Sequence, residues 1–282
     1  MSGNGVPTSH LRAVVRLVLY MGWTLLLAPV QMAAVLLNLP FVRVIPMIYH
    51  RGCLFLFGIS VFIRGEPVRG APVLFVANHC GYIDIAIMGA LVPCVFVAKM
   101  EISQWPFFGI LARLQRTVFI NRQDHLRTGT QRDILQNHLA AGENLILFPE
   151  GTSSDGNRAM EFKSSLFSAA VPGPGKASVV LQPVTIAYTQ LDGFPMGRTM
   201  RPYCAWYGDV GMVPHMWRLL GLGKVSIEVE FHDSIAVTHE SKRKKLAAKC
   251  HRIISRGLSE ALSGRSPKPA NLDSPPLSAS FS

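Results

Sequence analysis

The stretch PVLFVANHCGYID, residues 72–84, decides the fold and contains the first candidate functional pair. Val73–Ala77 is a continuous run of apolar, β-branched and aromatic residues, which is typical of a strand buried on both faces. The run ends just before His79, and Asp84 follows five residues later. The sequence therefore predicts a histidine at the end of a buried strand, with a carboxylate close behind it.

His79 and Asp84 cannot share one face of a single helix, because five helical residues place them roughly 140° apart. We therefore expect a turn over Cys80–Tyr82, which Gly81 permits because glycine tolerates positive φ. Asp84 is then expected at the N-cap of a helix beginning with Ile85. Two interpretations remain open: a functional His–Asp pair, or a helix-capping aspartate beside a histidine of the core.

Composition favours a membrane-associated protein. The chain has 282 residues, 49% hydrophobic residues, a mean hydropathy of +0.28 and a formal charge of +11. Basic residues concentrate in residues 239–256, and beside an apolar N-terminus this charge favours anionic membrane lipids, with no nucleic-acid partner. The five cysteines are widely spaced, without a CxxC pair, which indicates a reducing compartment and no metal site.

The N-terminal region is predicted to be a helical membrane anchor over residues 11–63. Leu17–Val42 is uncharged and would measure roughly 39 Å as a helix, against a hydrocarbon core of about 30 Å. Pro29 is expected to divide it into two arms that are each too short to span. Val44–Ile63 is interrupted by His50 and Arg51. We therefore expect a monotopic anchor rather than a spanning helix or a signal peptide.

Downstream of the anchor, strand-like and helix-like segments alternate, which predicts an α/β domain over residues 64–264. The expected fold is a mixed, largely parallel sheet flanked by helices. Lys224–Phe231 alternates with period two and is interpreted as an edge strand with one polar face. A basic amphipathic helix closes the domain. Residues 1–10 and the Pro/Ser-rich residues 265–282 are predicted to be disordered.

Two further loops carry polar groups at the ends of predicted strands. Glu150 lies between Pro149 and Gly151, which fix the backbone direction on both sides of it and suit a side chain that points into a site. Arg122 ends another strand, and its planar guanidinium suits a phosphate or a carboxylate. An ordinary polar loop and a solvated strand-end charge remain as alternatives.

Four blocks in this order resemble the glycerolipid acyltransferases of the PlsC type, over about residues 70–190. They are Asn78–His79 with Asp84 after a four-residue gap, Phe119–Arg122, Phe148–Thr152 and Gln182–Val184. The resemblance implies transfer of a fatty acyl group from a thioester to the free hydroxyl of a lysolipid. The co-substrate would be acyl-CoA or acyl-ACP (acyl carrier protein), with no other cofactor.

By the same resemblance, His79 would be the general base and Asp84 would fix its tautomer and stabilise the imidazolium. The enzyme would work on the cytoplasmic face of the inner membrane, in contact with anionic lipids. The residues expected to bind substrates are Arg122, Glu150, Gly151 and Thr152, with Lys99 and Lys163 as further basic candidates.

Two positions depart from the family pattern and bear on the acceptor. Arg116 stands where many relatives have a glycine, and Ser153 stands where enzymes with phosphate acceptors often carry an arginine. Acylation of 1-acyl-glycerol-3-phosphate to phosphatidic acid is the leading prediction. Loss of a cation at Ser153 makes a non-phosphate acceptor such as lyso-ornithine lipid a serious alternative. A non-catalytic membrane-lipid-binding protein is the alternative from another class.

Overall fold

The computed structural model describes residues 8–120, 128–174 and 177–265. Within these residues the chain forms seven α-helices, several short 3₁₀ turns and nine strands. The helices are α1 (His10–Leu36), α2 (Val44–Phe57), α3 (Tyr82–Leu91), α4 (Phe108–Leu114), α5 (Thr128–Ala140), α6 (Met212–Gly221) and α7 (Arg243–Leu262). The strands are β1 (Ile59–Arg64), β2 (Val73–Ala77), β3 (Val95–Lys99), β4 (Val118–Ile120), β5 (Leu145–Leu147), β6 (Val179–Leu191), β7 (Phe194–Pro195), β8 (Val225–Phe231) and β9 (Ile235–Val237).

The strands form one mixed sheet in the order β1-β8-β6-β2-β5-β3-β4, with β7 and β9 also pairing with β6. Strands β6, β2, β5, β3 and β4 are mutually parallel, whereas β8 runs antiparallel to β6 and parallel to β1. The predicted fold class is confirmed. Because parallel strands end at one edge of the sheet, the loops after β2, β5, β3 and β4 lie side by side.

The edge of the sheet differs from the prediction. The strand interpreted as an edge over Lys224–Phe231 lies between β1 and β6, and β1 forms the edge instead. Strand β1 escaped detection because the residues on both sides of the boundary are apolar, and the one break between helix and strand is Gly58, which caps α2 in the left-handed conformation. Strand β1 begins at Ile59, inside the segment expected to be the anchor, and the anchor boundary at residue 63 stays a prediction.

Two hydrophobic layers cover the two faces of the sheet. Alternate residues of the buried strand β2 supply them: Phe75 belongs to the layer that contains Tyr20 of α1, whereas Leu74 belongs to the layer that contains Cys250 of α7. This alternation follows from the two-residue period of a strand. The N-terminal helices and the basic helix α7 therefore pack against opposite faces of the sheet.

Helix α1 runs unbroken through Pro29, in contrast to the expected division into two arms. Its two halves are each fixed to the domain. Arg16 donates to the carbonyl of Leu222 (2.8 Å), and Gln31 donates to the carbonyl of Leu114 (2.9 Å). A proline inside a helix removes one backbone hydrogen bond. The contacts in its two halves fix the helix on either side of that defect.

One face of α1 is buried on the domain, and the opposite face is apolar and exposed. Leu11, Val18, Leu25 and Leu26 expose 61–75% of their surface. By length and composition α1 is the one helix of the described residues that could cross a membrane. A helix that packs on the domain with one face and exposes apolar side chains on the other suits a membrane anchor. The segments predicted to be disordered lie largely outside the described residues, at residues 1–7 and 266–282.

Candidate active site

His79 and Asp84 meet where β2 turns into α3. The Nδ1 atom of His79 lies 2.8 Å from the Oδ2 atom of Asp84, and the Asp84 side chain is fully buried. Helix α3 begins at Tyr82, so Asp84 is its third residue and not the N-cap that the sequence suggested. The amide of Gly81, which takes the N-cap position, donates to Asp84 (3.0 Å). A carboxylate at the third helical position satisfies free amides of the first turn.

The Asp84 carboxylate collects further hydrogen bonds. The backbone amide of Cys80 donates to the same Oδ2 atom, and the hydroxyl of Tyr188 on β6 donates to Oδ1 (2.8 Å). Burial, together with the adjacent Asp84 charge, raises the pKa of Tyr188 well above its usual range, so this hydroxyl keeps its proton. With both oxygens held by donors, the carboxylate has a fixed orientation toward His79.

The imidazole of His79 is stacked on the ring of Phe148, with centroids 4.2 Å apart and planes 21° apart. It lines a cavity of about 660 Å³. Since Nδ1 is engaged by the carboxylate, Nε2 is the nitrogen through which this ring can take a proton from a ligand. The arrangement is that of a general base with an orienting carboxylate.

Hydrogen bonds to backbone groups connect the His79 loop to β6 and to the loop after β5. The side-chain amide of Asn78 exchanges two hydrogen bonds of 2.8 Å with the backbone of Ile186 on β6. The carbonyl of His79 accepts from both the amide (2.8 Å) and the hydroxyl (3.1 Å) of Ser154, from the loop after β5. The two loops expected to form the site are therefore joined directly.

Glu150 was expected to point into the site, and the structure places its carboxylate behind His79 instead. The side chain is 2% exposed, and its Oε1 atom accepts from the backbone amide of His79 (3.1 Å). Glu150 is not among the residues that line the cavity. Burial raises its pKa to about 8, so the carboxyl group holds a proton at neutral pH. This geometry positions the histidine, and the acceptor-binding role expected of Glu150 stays a prediction.

The remaining substrate-binding candidates differ in where the structure places them. Gly151, Thr152 and Lys99 line the same cavity as His79. Lys163 is exposed and does not line it, although its backbone amide donates to the carbonyl of Pro149 (2.9 Å) and so closes the loop after β5. Arg122 lies outside the described residues, two positions beyond the end of β4.

The two departures from the family pattern have structural explanations. Arg116 adopts a φ of +63°, a conformation that glycine adopts without strain, and its guanidinium pairs with Glu143 (2.6 Å). Arg116 is thus absent from the cavity lining and does not replace a cation there. The hydroxyl of Ser153 donates to the backbone carbonyl of Trp206.

The cavity extends from His79 to the buried parts of α1 and α2. At its inner end it is lined by Tyr20, Gln31 and His50. Burial lowers the pKa of His50 to about 4, so this residue is neutral and its Nε2 pairs with the side chain of Gln115 (2.8 Å). The inner end is therefore uncharged, and most of the remaining lining side chains are apolar.

Sequence reasoning missed the segment that covers the outer end of the cavity. Trp206 and Tyr207, from the connection between β7 and α6, line it together with Met212, the first residue of α6. This segment has neither a strand nor a helix around Trp206, and no local pattern signals its position. Tyr188 was also missed, because it resembles any other aromatic residue of a buried strand.

Comparisons with known proteins agree with this fold. The Acyltransferase family model matches residues 60–187. The lyso-ornithine lipid O-acyltransferase of Rhizobium meliloti is 41% identical over 246 residues, which cover 86% of this chain and 84% of that protein. The 1-acyl-sn-glycerol-3-phosphate acyltransferase of Neisseria gonorrhoeae is 34% identical over 60% of this chain and 62% of that protein.

Among solved structures, the 1-acyl-sn-glycerophosphate acyltransferase PlsC from Thermotoga maritima matches with a TM-score of 0.60 at 22% identity. The match covers 91% of this chain and 100% of that one. At this identity the likeness concerns the fold. Together with the sequence relatives, it shows that the chain belongs to the PlsC-type acyltransferase family. The predictions of the family and of an acyltransferase enzyme are confirmed.

Proposed function

We propose that this enzyme transfers a fatty acyl group from a thioester donor to the hydroxyl of lyso-ornithine lipid. The observation that carries this proposal is the relative from Rhizobium meliloti, a lyso-ornithine lipid O-acyltransferase, which is similar over 86% of the chain. This choice reverses the order of the two acceptors expected from the sequence motifs alone.

The geometry of residue 153 supports the same acceptor. In the family pattern enzymes with phosphate acceptors often carry an arginine at this position, whereas here the Ser153 hydroxyl donates to the carbonyl of Trp206. Arg116 pairs with Glu143 and brings no replacement charge. Lys99 is the one lysine or arginine of the described residues that lines the cavity. Among these residues the cavity thus offers one positive charge, which matches the single negative charge of a carboxylate. Arg122, which lies outside them, would add to the binding of either acceptor's anionic group.

In the proposed reaction His79 is the general base. The acceptor hydroxyl gives its proton to Nε2 of His79 while its oxygen attacks the thioester carbonyl. Asp84 stabilises the resulting imidazolium through the 2.8 Å hydrogen bond to Nδ1. Collapse of the tetrahedral intermediate forms the ester and breaks the carbon–sulfur bond, and the imidazolium returns the proton to the departing thiolate. No acyl-enzyme is needed.

The apolar inner end of the cavity is proposed to hold an acyl chain. Its lining by residues of α1 and α2 puts the fatty chain beside the helices proposed as the membrane anchor. The exposed apolar face of α1 would lie among lipids on the cytoplasmic side of the inner membrane. Acyl-CoA and acyl carrier protein both remain possible donors, and Arg122 is retained as a candidate for binding the anionic group of the acceptor.

Acylation of 1-acyl-glycerol-3-phosphate is the second candidate, because the relative from Neisseria gonorrhoeae carries that name at 34% identity. The two are separated by incubating the purified protein with labelled palmitoyl-CoA or palmitoyl-ACP and either acceptor. We expect the labelled ester of lyso-ornithine lipid to form faster. Labelled phosphatidic acid as the major product would support the second candidate and contradict the first.

A further inference from the structure

We infer that Trp105 and Trp206 form a binding site for an alkylammonium group at the outer end of the cavity. The inference rests on the proposed function, since it assigns the part of the enzyme that recognises the amino group of the acceptor's head group. Neither tryptophan belongs to the motifs that identify the family, and both line the same cavity as His79.

The two indoles form two walls of a corner. Their ring centroids lie 5.8 Å apart and their planes meet at 79°. Tyr82 extends the cluster, with its ring centroid 6.0 Å from that of Trp206. Both tryptophans are half-buried and line the cavity, so a ligand in the cavity can contact them. An aromatic face of this kind attracts a cation within about 6 Å of its centroid.

Trp206 is held rigidly in this position. Its backbone amide donates to the carbonyl of Cys80 (2.8 Å), its carbonyl accepts from the Ser153 hydroxyl, and its indole nitrogen donates to the carbonyl of Val210 (2.7 Å). A Cβ atom at Gly81 would lie 3.0 Å from the Trp206 backbone nitrogen. The chain therefore keeps this ring against the loop that carries the catalytic candidates.

The charges around the cluster suit a head group with one positive and one negative end. Glu101 and Lys99 are both exposed at the outer end of the cavity, beside Trp105 in the chain. Glu101, four residues before Trp105, adds a negative charge to the lining of the same cavity, which strengthens attraction of a cation. Lys99 supplies the positive charge for a carboxylate. An ornithine head group carries both an ammonium and a carboxylate.

The Ser153 contact links this site to the choice of acceptor. At residue 153 the serine replaces the arginine that the family pattern often has there, and its hydroxyl fixes the backbone of Trp206 at the outer end of the cavity. Exchanging a cation for a π-face exchanges attraction of an anion for attraction of a cation. Recognition of the acceptor by its ammonium group follows from that exchange.

The test compares two acceptors that differ in one charge: lyso-ornithine lipid, and the same lipid acetylated on its side-chain amino group. We measure acceptor KM and kcat for the wild type, W105L and the conservative variant W105F, with labelled palmitoyl-CoA or palmitoyl-ACP. W217L is the matched control, since Trp217 is 37% exposed on α6 and does not line the cavity. Thermal unfolding verifies that each variant is folded.

For the charged acceptor we expect W105L to raise KM by about 3- to 30-fold, with a smaller change in W105F and none in W217L. For the acetylated acceptor, W105L should raise KM by a clearly smaller factor, because the attraction between the ring and a cation is already absent. The wild type should also prefer the charged lipid by a similar factor, a comparison that needs no variant.

Three results would overturn the inference, and they differ in whether they also overturn the proposed function. Equal KM of the wild type for both ornithine acceptors, or an equal loss for both in W105L, overturns the ammonium site and leaves the proposed function intact. Turnover of 1-acyl-glycerol-3-phosphate with none of lyso-ornithine lipid overturns the proposed function and the ammonium site together.

Discussion

One oxygen of the Asp84 carboxylate, Oδ2, accepts hydrogen bonds from three donors. Two of them are backbone amides, and the third is Nδ1 of His79 at 2.8 Å. The other carboxylate oxygen accepts from Tyr188. An asparagine can keep this pattern, because its carbonyl can accept from the three donors while its amide faces the Tyr188 oxygen. The charge of Asp84 can therefore be removed with the local hydrogen bonds retained.

We expect D84N and H79A each to lower kcat by about 10²- to 10⁴-fold, which is the range of general-base catalysis. D84N loses the charge that stabilises the imidazolium, and H79A loses the base itself. The measurement is turnover of lyso-ornithine lipid by purified protein of wild-type melting temperature. H239A, at an exposed loop histidine, is the control. Turnover within a factor of ten of wild type in either variant would contradict the mechanism.

The position of Glu150 predicts that its truncation lowers kcat and leaves the acceptor KM nearly unchanged. Because its carboxyl group contacts the His79 amide from outside the cavity, truncation in E150A should misplace the histidine and lower kcat. The KM for the acceptor should change less than twofold. E150Q keeps an oxygen to accept from the same amide and should retain most of the activity. A raised acceptor KM in E150Q with unchanged kcat would restore the acceptor-binding role expected from the sequence.

Glu150 also predicts a pH-dependent stability. In the folded protein its pKa is raised to about 8 by burial, whereas in the unfolded chain it lies near its ordinary value of 4.5. Between these values the unfolded state binds fewer protons, so the free energy of unfolding falls as the pH rises. Above about pH 8 the contribution becomes constant.

The variant E150Q removes this titration. We therefore measure the melting temperatures of the wild type and E150Q from pH 4.5 to 8.5. As the pH increases, the melting temperature of the wild type should fall relative to that of E150Q. A difference that stays constant over this range would show that Glu150 is ionised in the folded protein.

The sequence predicted what depends on local order and missed what depends on distant segments. The His79–Asp84 spacing required a turn, and the turn is present, although the helix begins at Tyr82 and Asp84 is its third residue. The Pro149–Gly151 pair restrained Glu150 but could not give its direction. That direction depends on which amide lies across the loop, and the amide belongs to a residue 71 positions away.

Two other features were inaccessible for the same reason. Trp206 reaches the site through hydrogen bonds to Cys80 and Ser153, which are far from it in sequence, and no periodicity marks a residue in an irregular segment. The apolar residues after α2 form strand β1 because they pair with β8. Their sequence alone does not show whether they form a strand or a helix, since strand preference depends on the neighbouring strand.

The exposed face of α1 predicts how the enzyme binds membranes. Leu25 and Leu26 are 74% and 61% exposed, and each would bury its side chain among lipids. Replacing both by glutamate should weaken binding to phosphatidylcholine vesicles by about 10³-fold, since a buried leucine contributes roughly 2 kcal/mol. The measurement is co-flotation with vesicles, with unchanged melting temperature as the control for folding. Retained flotation of this double variant would contradict an anchor formed by α1.

The matched variant carries K244Q and K245Q on α7, whose basic residues are exposed on the other side of the sheet from α1. On phosphatidylcholine vesicles this variant should float like the wild type, because no anionic lipid is present. On vesicles with phosphatidylglycerol, each lysine of α7 would contribute about 1 kcal/mol to the binding free energy, or about fivefold in affinity, if α7 contacted the membrane. Since α1 and α7 cover opposite faces, we expect the loss on anionic vesicles to stay below that value. A salt-sensitive loss of about 25-fold would instead show that both helices contact one membrane along an edge of the sheet.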